Sequence, residues 1–232
     1  MTNNSSDGSA LENLAELADP VEIVIFTAQG CPNCPHAVRA ANALADANSM
    51  VSVSVLDAGE SAELASRYQV RSVPTLVING DLTIIGVVTQ VELARRILES
   101  QGPGAEDAVF VSFMKSGRIE DATNRLVDAR GLSAFAELWN KSTLEERISL
   151  SLVAQNAIDE EPSCLDTLVG QLLPSLEADE AARRGDTVDL LGAIGHESAR
   201  PALQKSLEDA HEDVVEAAED ALESLGERAS TP

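Results

Sequence analysis

One stretch limits the choice of fold more than any other. The β-branched apolar run VEIVIFTA (21–28) leads through QG into CPNC (31–34), and PHAVRAANALADAN (35–48) follows with Ala37, Ala41, Leu44 and Ala45 along one helical face. The run reads as a strand and its sequel as a helix. Cys31 and Cys34 therefore occupy a strand-to-helix turn, where free N–H groups and the positive end of the helix dipole face the sulfurs. That setting favours thiolate and lowers the pKa of the first, more exposed sulfur. Pro32 suits the first helical turn, having no N–H to leave unpaired. The C-x-x-C spacing brings both sulfurs within bonding distance. Three readings of the pair remain open here: a redox dithiol, part of a metal site, or two inert thiols. Tetrahedral zinc wants four ligands, and His36 is the nearby third candidate. His36 reads otherwise as a solvated helix residue or as a group that tunes the thiolate. As a dithiol, Cys31 is the expected attacking sulfur and Cys34 the resolving one.

The segments that follow complete a small α/β pattern. MVSVSVLDA alternates as a second strand, ESAELASRYQV is helical, PTLVINGDLTIIG is a hairpin turning at Asn79-Gly80, and TQVELARRILES closes with a helix. The order is βαβαββα over 20–100. Ahead of it, SALENLAELAD (9–19) reads as a short amphipathic helix capped by Ser9 with Glu12 in the capping-box position, and residues 1–8 read as a disordered tail.

The motifs CPNCP, VRSVP and VING within this order resemble the thioredoxin-fold superfamily. They look most like the glutaredoxin-sized N-terminal redox domain of the alkyl hydroperoxide reductase flavoprotein subunit. The resemblance implies a thiol-disulfide oxidoreductase with Cys31 and Cys34 as catalytic pair. It also implies a cis Val73–Pro74 bond, with Pro74 beside the sulfurs and Val73 offering its backbone to an extended client segment as a short strand addition. The buried Asp and the pre-cysteine Trp of thioredoxins proper are replaced by Ile25 and Gly30, which speaks against a general thioredoxin. The glutathione-holding patch of glutaredoxins is replaced by IIGVVTQVEL, without an acid. Asp57, ending the second strand, stands at a common place for an acid in this fold. No segment resembles a flavin or nicotinamide site, so no cofactor is expected. Electrons are expected from an external flavoprotein reductase or a small thiol, and the client is a disulfide-containing protein.

QGPG (101–104) reads as a linker, and 105–232 as all-helical. Helical stretches are predicted at 105–115, 118–129, 132–141, 143–159, 163–173, 178–194, 198–209 and 212–225, broken at Gly117, Gly131, Pro162, Pro174, Gly195 and Gly226. LLGAIG (190–195) aligns with ALESLG (221–226), and LVGQLL (168–173) with LQKSLE (203–208). Over 163–226 the chain resembles short HEAT-type α-solenoid repeats, which implies a superhelical partner-binding module. Phe110, Phe135, Trp139 and Cys164 are expected as packing residues of this part. A rival reading makes the repeats the function, as a scaffold or chaperone-like module, and the redox domain a sensor or relic.

Charge removes other function classes. The chain carries 39 acids against 16 bases, and 101–232 holds 27 acids against 11 bases. Such a surface repels phosphate, disfavouring nucleic acid and anionic membranes. Neither a signal-peptide pattern nor a long apolar run is present, so a cytoplasmic protein is expected, where a C-x-x-C pair serves catalysis or metal rather than a staple.

Overall fold

The computed structural model of the chain describes residues 19–102 and 104–229, with side chains as far as Gly226, preceded by the isolated positions Leu11, Leu14 and Leu17. The helix expected over 9–19 and the tail over 1–8 otherwise lie outside the described residues. The chain forms two compact units, Met1–Arg118 and Ile119–Pro232.

The first unit is built on a sheet of β1 (Val21–Thr27), β2 (Val51–Asp57), β3 (Thr75–Ile78) and β4 (Leu82–Ile85), in the order β2-β1-β3-β4. β1 pairs in parallel with β2, joined through helix α1 (Cys34–Ala47); β3 pairs antiparallel with both β1 and β4. The hairpin turns at Asn79 and Gly80, both left-handed at φ 53° and 79°. Two positive φ values in a row are what a tight hairpin needs, and Asn-Gly supplies them cheaply.

Alternation along the strands sorts the two faces. Ile23, Ile25, Leu76 and Ile78 join Ala37, Ala41 and Leu44 of α1 and Leu93, Ala94 and Ile97 of helix α3 (Gln90–Glu99), with Leu14 and Leu17 packed against the same core. Val24, Phe26 and Val77 meet Ala65 of helix α2 (Ala62–Arg67) on the opposite face. Burial on both faces explains why Leu76, Val77 and Ile78 run on without a polar residue between them.

The first unit does not stop at the expected linker. Helix α4 (Ala105–Ser116) packs against β4, and the Thr83 N–H donates to Ser112 Oγ at 2.8 Å. Arg118, 5% exposed, donates from Nη1 to the carbonyls of Gly80 (2.8 Å) and Asp81 (3.2 Å). Its guanidinium lies over the rings of Tyr68 and Phe113, at 5.1 and 4.4 Å. Phe110, expected in the solenoid core, is therefore buried in the first unit. Helical periodicity marks an apolar face but not the surface that covers it.

The second unit shows only helices among its described residues. They are α5 (Ile119–Val127), α6 (Leu132–Lys141), α7 (Leu144–Glu160), α8 (Val169–Leu172), α9 (Ala181–Ile194), α10 (Arg200–Ser206) and α11 (Glu212–Ala229). The helix expected over 163–173 is instead a 3-10 turn, the single α turn of α8 and a second 3-10 segment, Leu173–Glu177, that carries the chain across Pro174. Pro174 falls in the first turn of that segment, where its missing N–H costs nothing. The expected break thus becomes a start. Packing within the unit pairs α5 with α7, α7 with α9 and α9 with α11. Gly192 decides the last crossing: a Cβ there would stand 2.7 Å from Ala221 Cβ. The two aligned hexapeptides therefore meet at their small residues.

Polar ties fix these crossings. Arg147, 1% exposed, donates from Nε to Asp186 (2.7 Å), from Nη2 to Glu180 (3.0 Å) and from Nη1 to the Ser142 carbonyl (3.2 Å). Arg184 holds Asp209 through two bonds of 2.7 and 2.9 Å. Trp139 stacks on Phe135 at 5.8 Å and donates its indole N–H to Thr187 Oγ1 at 3.0 Å.

Candidate active site

The site is built where β1 gives way to α1. Cys31 and Cys34 form a disulfide with Cα atoms 5.5 Å apart. Helix α1 begins at Cys34, so Pro35 occupies its first turn and Pro32 precedes the Asn33 cap. Pro32, expected in that turn, lies instead in the C-x-x-C bend ahead of the cap. The Cys34 N–H, one of the free donors at the helix start, donates to Cys31 Sγ at 3.0 Å. Cys34 is buried at 5% exposure, whereas Cys31 is half-buried and faces outward. One sulfur is thus reachable and the other held behind it.

The segment Ser72–Thr75 comes to the same place from far along the chain. The Val73–Pro74 bond is cis, and the Val73 carbonyl oxygen lies 3.9 Å from Cys31 Sγ. Pro74 is buried, and its carbonyl accepts from the Gly86 N–H at 2.8 Å. Thr75 is 1% exposed and donates its hydroxyl to the Ser72 carbonyl at 2.7 Å, which locks the loop. All the expected site residues, Cys31, Cys34, Val73 and Pro74, are brought together. The supports from Thr75 and Gly86 were not anticipated; a hydroxyl directly after Val-Pro was the available signal for the first.

Other candidates take structural places. Ile25 is fully buried under α1, so the position of the thioredoxin acid carries core here. Gly30 has φ +78° with open space where a Cβ would stand. A side chain is disfavoured there by backbone conformation, not by crowding. Asp57 Oδ1 accepts from the N–H groups of Gly59 (2.8 Å) and Glu60 (3.3 Å), capping the turn into α2. His36 is exposed and shares a 3.0 Å contact with Arg39. Cys164 is 8% exposed; burial first, then the charge of Glu161, pushes its thiol up to about 11. Among the described residues, no group of three or more His, Cys, Asp or Glu could hold a metal ion, and no helix is long and apolar enough to cross a membrane.

The thioredoxin domain family matches residues 21–99. The thioredoxin of Methanocaldococcus jannaschii is 40% identical over 81 residues, 33% of this chain and 92% of that protein. The chain belongs to the thioredoxin family. The probable thioredoxin of Archaeoglobus fulgidus is 30% identical over 83 residues, 35% of this chain and 91% of that protein. Among solved structures, the NTD_N/C domain of alkylhydroperoxide reductase AhpF from Enterococcus faecalis aligns with 29% identity and a TM-score of 0.36, covering 38% of this chain and 42% of that one. A protein disulfide oxidoreductase from Aeropyrum pernix aligns with 31% identity and a TM-score of 0.37, covering 40% and 42%. The chain spans about two fifths of the length of each of these structures. Family membership and the Cys31–Cys34 disulfide together support thiol-disulfide oxidoreductase activity.

Proposed function

We propose that this protein reduces disulfides in other proteins, with Cys31 attacking and Cys34 resolving. The carrying observation is the Cys34 N–H pointing at the Cys31 sulfur, with Cys34 buried behind it. A donor of this kind favours the thiolate, the nucleophilic form. The Cys31 thiolate attacks one sulfur of a client disulfide; that S–S bond breaks and the departing client sulfur takes up a proton. Cys34, after losing its proton, attacks Cys31 Sγ. The mixed disulfide breaks, the second client thiol leaves, and the Cys31–Cys34 disulfide forms. Two electrons pass from the dithiol to the client. A small thiol or an external flavoprotein reductase returns them. The backbone of Val73, beside Pro74 and within reach of Cys31, lines up the client segment by strand addition. The reading sets the reaction in the cytoplasm, where dithiols are kept reduced.

The second unit serves as a HEAT-like module that selects or holds the partner. In support, its repeated hexapeptides meet at the Gly192–Ala221 crossing, as stacked helix pairs do. Insulin reduction driven by dithiothreitol tests the catalytic half. Parent protein should accelerate precipitation of the insulin B chain, and Cys31→Ser should abolish that acceleration. A Cys31→Ser variant as active as the parent, or an inactive parent, would overturn the assignment.

A further inference from the structure

Helix α7 leaves part of its surface uncovered. Leu144, Ile148 and Leu152 stand four residues apart along it and are 55%, 64% and 52% exposed. Residues at this spacing stack on one face. Ser151 and Gln155 carry that face sideways into a groove of about 220 Å³ between α7 and α9, lined also by Ile158, Asp186, Asp189, Leu190 and Ala193. No lysine or arginine lines the groove. Asp186 is engaged on one side by Arg147. Burial first, then the neighbouring charges of Asp186 and Asp220, raise the Asp189 carboxyl above its ordinary range, so negative charge is crowded at this wall.

We propose that the Leu144–Ile148–Leu152 stripe and the acid-lined groove beside it form a docking surface for a cationic amphipathic helix of a partner protein. The argument is charge complementarity beside an apolar anchor. The stripe offers three large side chains at the spacing that a helix-in-groove contact uses. The groove wall offers Asp189 beside the Arg147-bound Asp186, and a lysine or arginine from the partner would relieve the crowding of these carboxylates. A second copy of this chain is a poor occupant, because it would bring two strongly acidic surfaces together. This inference rests on the partner-binding role proposed above and gives that role a place and a chemistry.

Anisotropy of a fluorescein-labelled synthetic helix with leucines on one face and lysines on the other tests it, with insulin reduction run in parallel. The parent should bind this probe, and a probe with glutamates in place of the lysines should not bind. Ile148→Ser/Leu152→Ser should weaken binding at least tenfold, and Asp189→Asn should weaken it severalfold and flatten its salt dependence. Both substitutions are on the surface, and unchanged Trp139 fluorescence would show that the fold is kept. Failure of the parent to bind overturns the inference. So does binding indifferent to the Ile148 and Leu152 changes, equal binding of the acidic probe, or a parent dimer that those changes dissolve. Insulin reduction separates the two readings: activity without probe binding removes the docking surface alone, and probe binding without activity removes the reductase assignment alone.

Discussion

Asp209→Asn should cost the second unit stability in a way that pH switches off. Arg184 grips Asp209 with two hydrogen bonds, and both side chains are only 13% exposed. That grip, aided by the His211 N–H and opposed by burial, holds the Asp209 carboxyl down at about 2 rather than 3.8. At about 1.4 kcal/mol per pH unit, the difference corresponds to about 2.5 kcal/mol of folding stability. Because the folded-state pKa is depressed, this contribution is whole above pH of about 5 and is lost as pH falls below about 4 and through about 2. Asparagine keeps an oxygen for the His211 N–H but removes the charge and puts an NH2 group where Oδ2 accepts from Arg184 Nε, much as a protonated carboxyl would. Arg184 retains its bonds to the carbonyls of Ala178 (2.8 Å) and Asp179 (3.2 Å), so the variant avoids the larger penalty of a stranded buried cation. Trp139, the chain's one tryptophan, is fully buried in the second unit, so urea unfolding read by its fluorescence reports on that unit. The variant should be less stable by about 2.5 kcal/mol at pH 7, and the gap should fall to about a third of that by pH of about 2.5 and close near pH of about 1. Arg184→Met in a double-mutant cycle should show coupling of similar size at pH 7. A gap that persists undiminished at low pH, or the absence of coupling with Arg184, would refute the reasoning.

Two further outcomes are expected. Alkylation of the reduced protein at pH 7, read by peptide mass, should modify Cys31 before Cys34 and leave Cys164 last, since a thiol pushed up to about 11 and facing the Ala157 carbonyl at 3.6 Å holds almost no thiolate; earlier labelling of Cys164 would contradict the assignment. A fragment ending at Arg118 should resist urea better than one ending at Ser100, by at least about 2 kcal/mol, because α4 buries Val109, Phe110 and Phe113; equal stability would show that α4 adds nothing to the first unit.

The redox centre was legible because its parts are local. Strand, C-x-x-C and helix follow one another within 21–48, and the helix start that presents an N–H to Cys31 is written in the same stretch. The approach of Val73 to Cys31 joins segments 42 residues apart, and only the resemblance carried by VRSVP made it visible. Where α4 belongs was hidden for a different reason. Gly102 and Gly104 mark a turn, and a turn within a unit has the same composition as a linker between units. The apolar face of α4 was readable, but its cover is β4, which no local pattern announces.

Helix α7 shows the same limit from the other side. Apolar residues ring it: Leu150, Val153, Ala154 and Ala157 face inward, and Leu144, Ile148 and Leu152 face out. Apolar positions scattered among polar ones around a helix single out no one face for the core. The structure covers the inner residues with α5 and α9 and leaves the outer stripe to solvent. Periodicity can count apolar positions but cannot say which of them the chain itself will cover. The surplus shows only after packing is known, and here it lies beside an acidic groove. An apolar stripe serving stability would be sealed by the chain's own helices, as the inner face of α7 is. One left open beside the Asp186 and Asp189 carboxylates is the surface the docking proposal puts to the test.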